Sequence, residues 1–225
     1  GVTDIPYEKG FFFLRTIEEA IGRDKFDEFL KGYFNKFAFK SIDLAEFEKE
    51  LNQQIIKGDS SLKKKINAYA WIYQPGLPLN FEAPISTRFS EIDKVQKKLS
   101  ANGIAGLKSK ISTTNEKLYF IKTLPQNIEA TKLSEIDREF NFTNSGNSEI
   151  QCAWYTLAVK RNYKPAYSKI EEFLINVGRR KLILPIYKEL LTTTEGKQRA
   201  KVIYNKARPN YHSVAYTTVD EMIKQ

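Results

Sequence analysis

Histidine is almost missing from this chain: among 225 residues it occurs once, as His212. A catalytic zinc takes about three protein ligands, usually with imidazole among them, so this stretch cannot build His-Glu-x-x-His or a zinc site by itself. Ser-His-Asp chemistry would have to be built around His212, close to the end of the sequence. Cysteine also occurs once, as Cys152, which excludes an internal disulfide and a cysteine metal cage; a buried, inert thiol is expected. There is no Walker loop and no dinucleotide fingerprint. No apolar run approaches the roughly 20 residues that span a bilayer, so no membrane partner is expected. No basic-then-apolar leader opens the sequence. These absences lean the expected location towards the cytoplasm. No segment sustains strand alternation, so few or no strands are expected.

What is present is ordinary for a globular protein: 41% hydrophobic and 28% charged residues. The length suffices for one large domain or two small ones, each with a core. The net charge of +9 is unevenly placed, with 12 basic against 12 acidic residues in 1–75 and 24 against 15 in 76–225. Residues 151–225 alone carry 14 basic and 6 acidic side chains. Such asymmetry fits either a solvated basic surface or an anionic partner. No Arg/aromatic stacking motif and no reader fold accompanies it, so nucleic acid is not expected as a partner.

Helical periodicity starts almost at once, with Phe13, Ile17, Ala20 and Ile21 on one face and a break at Gly22. Phe26, Phe29, Leu30, Tyr33, Phe34 and Phe37 follow at helical spacing and are expected in the core. Asp43 with Glu46 reads as a capping box for a third helix bearing Leu44, Phe47, Leu51 and Ile55. Pro75-Gly76-Leu77-Pro78 and Pro84 then interrupt the pattern. A domain ending at 76, a linker over 77–84 and a second domain over 85–225 are expected. In the second, Ile92, Val95 and Leu99 share a face closed by Gly103 and Gly106, and Thr113 with Glu116 caps another helix that Pro125 stops. From Ile150 onward, helices of about 12–15 residues alternate with short polar turns as far as Pro209, the cadence of stacked helix pairs. Trp71 and Tyr73 are expected to pack where the two domains meet.

Four segments, in order, carry a family resemblance. Ile5-Pro6-Tyr7-Glu8-Lys9-Gly10 precedes an aromatic-rich helix. Lys40-Ser41-Ile42 precedes an acidic helix. Ala70-Trp71-Ile72-Tyr73-Gln74-Pro75-Gly76-Leu77-Pro78 follows. Asn147-Ser148-Glu149-Ile150 with Trp154, then Gly178-Arg179-Arg180-Lys181, completes the set. Together they resemble the carboxy-terminal portion of zinc aminopeptidases of the gluzincin class, on the branch of leukotriene A4 hydrolase and aminopeptidase B. The resemblance implies an all-α chain: the last helices of a thermolysin-like catalytic domain, then an α-α superhelical domain of the ARM/HEAT solenoid kind. It implies zinc in the intact parent, held upstream of Tyr7 and not by this fragment, which by itself is expected to be inactive. The upstream catalytic domain is then a partner, and peptides that lose their N-terminal residue are the substrates.

The resemblance also implies roles. Tyr7 matches the catalytic tyrosine, whose phenol donates to the oxyanion of peptide hydrolysis; an ordinary phenol, with a pKa near 10, is protonated at neutral pH. Arg179 and Lys181 match positions that hold a free carboxylate. By residue type alone, Tyr7 reads as a buried structural tyrosine at a helix start, and Gly178–Lys181 as a basic helix junction. A stand-alone α-solenoid scaffold that binds a protein partner is the competing function.

Overall fold

The computed structural model describes residues 5–97, 99, 104, 106–125 and 127–224. The expected helix end at Gly103 lies outside them. The chain divides into two compact units, Gly1–Ile85 and Ser86–Gln225. Among the described residues there are helices and no strands.

In the first unit, α1 (Ile5–Ile21) and α2 (Arg23–Lys36) are separated by Gly22, whose φ of 85° suits glycine and ends the first helix. Helix α3 (Leu44–Leu51) starts at the capping box its sequence predicts: the Asp43 carboxylate accepts from the Glu46 N–H, and Glu46 accepts from the Asp43 N–H. It runs into a π-helical turn, Asn52–Ile56, and two short helices follow, α4 (Ser60–Ile66) and α5 (Ala68–Tyr73). Sequence periodicity misses those two, because each is too short to show a stripe. Phe13, Ile17, Phe26, Leu51, Ile56, Ile66 and Trp71 form the core, with the Phe13 and Trp71 rings stacked at 6.0 Å.

The aromatic stripe of α2 is only partly core. Phe26 and Phe29 are buried, but Phe34 is 66% exposed and Tyr33 and Phe37 are partly open. In the outer half of α2 Tyr33 packs edge-on against Phe47 of α3 at 5.6 Å and Lys36 pairs with Glu50, while Phe34 and Phe37 lean on the Tyr33 ring at 5.6 and 5.2 Å from its open sides. Trp71 lies in this unit's core. In the 77–84 segment, Phe81 packs edge-on against Phe12 at 4.8 Å, and the Asn80 side-chain amide donates to the Lys65 carbonyl at 2.8 Å.

The second unit comprises α6 (Thr87–Lys97), α7 (Leu107–Lys110), α8 (Thr114–Thr123), α9 (Ala130–Phe140), α10 (Ser148–Lys160), α11 (Tyr167–Asn176), α12 (Arg180–Leu190), α13 (Thr194–Ala207) and α14 (Ser213–Lys224). The last of these follows Pro209, where the periodicity was expected to stop. Alternate helices pack on one another: α6 on α8, α8 on α10, α10 on α12, α12 on α14, and α11 on α13. That is the two-layer stacking of helix pairs. Val202 faces outward at 57% exposure while its neighbour Ile203 is buried, so only one of that expected pair is core.

A polar node sits inside this stack. The Asp137 carboxylate accepts from the Thr143 N–H at 2.8 Å and the Thr143 hydroxyl at 2.6 Å. Fully buried Trp154 donates its indole N–H to the Thr143 oxygen at 2.9 Å, and Tyr155 donates to the Thr143 carbonyl at 2.7 Å. Every polar atom that the two large rings carry inward is thereby satisfied, which is what makes their burial favourable.

Candidate catalytic and substrate-binding residues

Tyr7 stands in the first turn of α1, one residue after Pro6. Proline is tolerated there because a first-turn N–H has no helical partner in any case. Glu8 follows in the same turn, where the helix dipole favours an acid. The Tyr7 side chain is 74% exposed. Its turn is tied down from the other side: the Lys9 ammonium donates to the Gln74 carbonyl, just past α5. The Tyr73 hydroxyl donates to Glu48 at 2.9 Å, fastening α5 to α3. Ile5, Phe11 and Tyr69 are likewise exposed, so the start of α1 and the outer side of α5 present apolar and phenolic groups to solvent.

Arg179 lies in the second unit, at the N-cap of α12, and Lys181 sits two residues further on. The Arg179 carbonyl accepts from the Leu182 and Ile183 N–H groups at 2.9 and 3.2 Å, so its backbone starts the helix. Its side chain makes no capping bond and is exposed. Gly178 explains how the chain reaches this position: a Cβ there would stand 3.3 Å from the Asn210 carbonyl oxygen and 3.6 Å from the Tyr211 ring. The first turn of α12 therefore holds Arg180 and Lys181 directly after Arg179, with no acid. Cations at the positive end of a helix dipole are unfavourable, by a few tenths to about 1 kcal/mol each. Stability thus gives no reason for this triplet.

Lys181 borders a cavity of about 340 Å³ between α8, α10 and α12. Leu118, Ile121, Ala153, Leu157 and Pro185 supply apolar walls. Pro185, inside α12, has no N–H to give to the Lys181 carbonyl one turn earlier. Arg179 is not on the cavity wall. Cys152 is; burial, reinforced by the Glu149 charge, pushes its thiol above the usual range against Thr156, Lys122 and Lys181, so it is a poor nucleophile.

His212 is exposed, and its Nδ1 accepts from the Val214 N–H at 3.3 Å at the start of α14. Among the described residues no three His, Cys, Asp or Glu side chains converge to hold a metal. No described helix is long and apolar enough to cross a membrane.

Two family models match the chain, one after the other. Residues 2–70 match the peptidase family M1 domain, and residues 112–223 match the leukotriene A4 hydrolase C-terminal domain. By these matches the chain is similar to a gluzincin aminopeptidase fragment, a peptidase family M1 segment followed by a leukotriene A4 hydrolase C-terminal segment. Curated relatives include leucine aminopeptidase 2 of Yarrowia lipolytica, 27% identical over 97% of this chain and 36% of the relative. Leucine aminopeptidase 2 of Aspergillus clavatus is 29% identical over 97% of this chain and 37% of its own length. The chain spans little more than a third of these relatives. The structure of native yeast LTA4 hydrolase shares the fold, with a TM-score of 0.78 at 22% identity over the whole of this chain and 40% of that one.

Proposed function

We propose that this chain is the carboxy-terminal part of a zinc-dependent aminopeptidase that removes N-terminal residues from peptides. Residues 1–76 are the last helices of its catalytic domain, and 85–225 its superhelical domain. Zinc, which supplies the attacking water and polarises the scissile carbonyl, belongs to another part of the polypeptide, and no residue here is assigned to it. Tyr7 donates its phenolic hydrogen to the oxygen that becomes negative at the tetrahedral stage. Arg179 and Lys181 hold the free carboxylate of the peptide. A guanidinium pairs with a carboxylate in a planar, two-point fashion, and the ammonium adds a compact second charge.

The observation that carries the reading is the conjunction of two features without a structural purpose in the chain itself. One is a 74% exposed phenol in the first turn of α1. The other is a cationic triplet at the dipole-opposed end of α12. Both fall inside the matched family regions.

The test uses the protein produced with its upstream coding sequence, which the reading requires to encode His-Glu-x-x-His within about a hundred residues of Tyr7. Tyr7→Phe is expected to lower turnover on a leucine arylamide by roughly 100- to 1000-fold with KM nearly unchanged. Unchanged turnover would remove Tyr7 from the oxyanion.

A further inference from the structure

The chain leaves α11 and enters α12 through Val177 and Gly178, and Arg179 caps the next helix. The last carbonyls of a helix have no partner within it. Here the segment just before α14 supplies two of them. The Tyr211 hydroxyl donates to the Leu174 carbonyl at 2.5 Å, and the Asn210 side-chain amide donates to the Ile175 carbonyl at 3.4 Å. A phenol has one hydrogen to give, so across the 3.2 Å between the Tyr187 and Tyr211 hydroxyls it is Tyr187, on α12, that donates. Tyr187 is fully buried and Tyr211 is 5% exposed, so bulk water reaches neither bond. The Tyr204 ring, 6.0 and 6.1 Å from those of Tyr187 and Tyr211, backs the pair. Burial pushes the Tyr211 hydroxyl up to about 12, so its hydrogen is in place throughout the neutral range. The same ring lies against Gly178, where a Cβ would stand 3.6 Å from it. One phenol thus bonds to the helix before the junction and to the helix after it, and packs on the junction itself. The Arg179 side chain makes no capping bond, so its aim depends on how well its backbone is placed.

We propose that Tyr211 is a positioning residue for Arg179: its hydroxyl locks the α11–α12 junction from both sides and so sets where the guanidinium stands when substrate arrives. The inference rests on the Arg179 role proposed above and adds to it a residue from beyond α13 that touches no substrate. Phenylalanine at this place keeps the ring on Gly178. It leaves the Leu174 carbonyl and the Tyr187 hydroxyl buried without partners, and the junction shifts to find new ones. Small shifts matter at such a place, because a two-point pair between guanidinium and carboxylate tolerates little error in direction.

The test uses the intact enzyme, with Arg179→Ala as the reference. In Tyr211→Phe, KM for a peptide with a free carboxylate should rise by about 3- to 10-fold with kcat nearly unchanged. A leucine arylamide, which has no free carboxylate, should change far less. Gly178→Ala should reproduce that pattern by another route, since its Cβ would press on the Asn210 carbonyl at 3.3 Å and on the Tyr211 ring. The double variant decides the matter. Once Arg179 is alanine, Tyr211→Phe should alter neither substrate further, because a positioning residue has no effect after the group it positions is gone. Equal losses on peptide and arylamide, or a Tyr211 effect that persists without Arg179, would make the tyrosine purely structural and overturn the proposal. If Arg179→Ala raises the peptide KM and Tyr211→Phe does not, the positioning role alone fails. If Arg179→Ala leaves the peptide KM unchanged, the carboxylate reading fails and this inference falls with it.

Discussion

Arg179 and Gly196 show how single side chains, or their absence, act in this molecule. Arg179 caps a helix with its carbonyl while its guanidinium stays out of the cap. Replacing it leaves α12 intact and removes only the charge. In the intact enzyme, Arg179→Ala should therefore lower kcat/KM by about 10- to 100-fold for peptides with a free carboxylate. Neutral arylamides should change far less, and equal losses on both substrates would argue against carboxylate capture. Gly196 is the opposite case, needed for space. A Cβ at that position would fall 2.0 Å from the Leu190 carbonyl oxygen and 2.8 Å from the Thr193 hydroxyl, which caps α13 by accepting from the Gly196 N–H at 3.0 Å. Backbone cannot yield as a flexible side chain can. Gly196→Ala should cost about 1–3 kcal/mol, seen as a lower urea midpoint. A midpoint equal to the parent would mean the turn has slack. Of these two residues only Arg179 was legible in the sequence. Gly196 has its meaning in a carbonyl six residues away, and spacing rules do not reach that contact.

Helices here are held by two kinds of device, and only one is local. The capping boxes at Asp43 and Thr113 join residues three apart, so their sequence signature and their geometry coincide. Asp59 likewise caps α4, through the Ser61 and Leu62 N–H groups, and was the available signal for that overlooked helix. The clasp on α14 is different. Arg208 grips Asp220 with two N–H groups at 3.0 and 2.9 Å, and the Tyr204 hydroxyl donates to the same carboxylate at 2.6 Å. Arg208 and Tyr204 hold the Asp220 carboxyl down at about 2. Glu116 is held at about 2 by the Thr113 N–H, Arg88 and the Ser112 N–H. Both folded values lie below the ordinary carboxyl range near 4. The stabilisation is thus complete above about pH 4.5 and disappears as pH falls towards about 2. Urea unfolding across that window should show stability dropping with acid. Asp220→Asn and Glu116→Gln should each flatten the drop, and an unchanged slope in both would assign the acid loss to other carboxylates.

For the whole molecule, the decisive fact is that each unit has its own core. Phe13, Ile17 and Trp71 belong to one cluster, and Phe120, Trp154, Tyr187 and Ile203 to another. The second cluster is the larger and includes fully buried Trp154, Tyr155 and Tyr187. Residues 86–225 expressed alone should consequently melt in one cooperative transition, followed by circular dichroism. Trp154→Ala in that piece should lower its stability by about 3–5 kcal/mol. A broad, non-cooperative melt of the unsubstituted piece would show that its core is incomplete.

The sequence by itself determined that this chain is helical, where several helices begin, and which family it resembles, because those properties live in periodicity, caps and short motifs. Only the tertiary structure decided that Phe34 faces water while Phe29 does not, that Lys181 borders a cavity shared with Lys122, and that Asp220 closes on Arg208. Those outcomes depend on which helix covers which face, and residues distant in the chain make that choice.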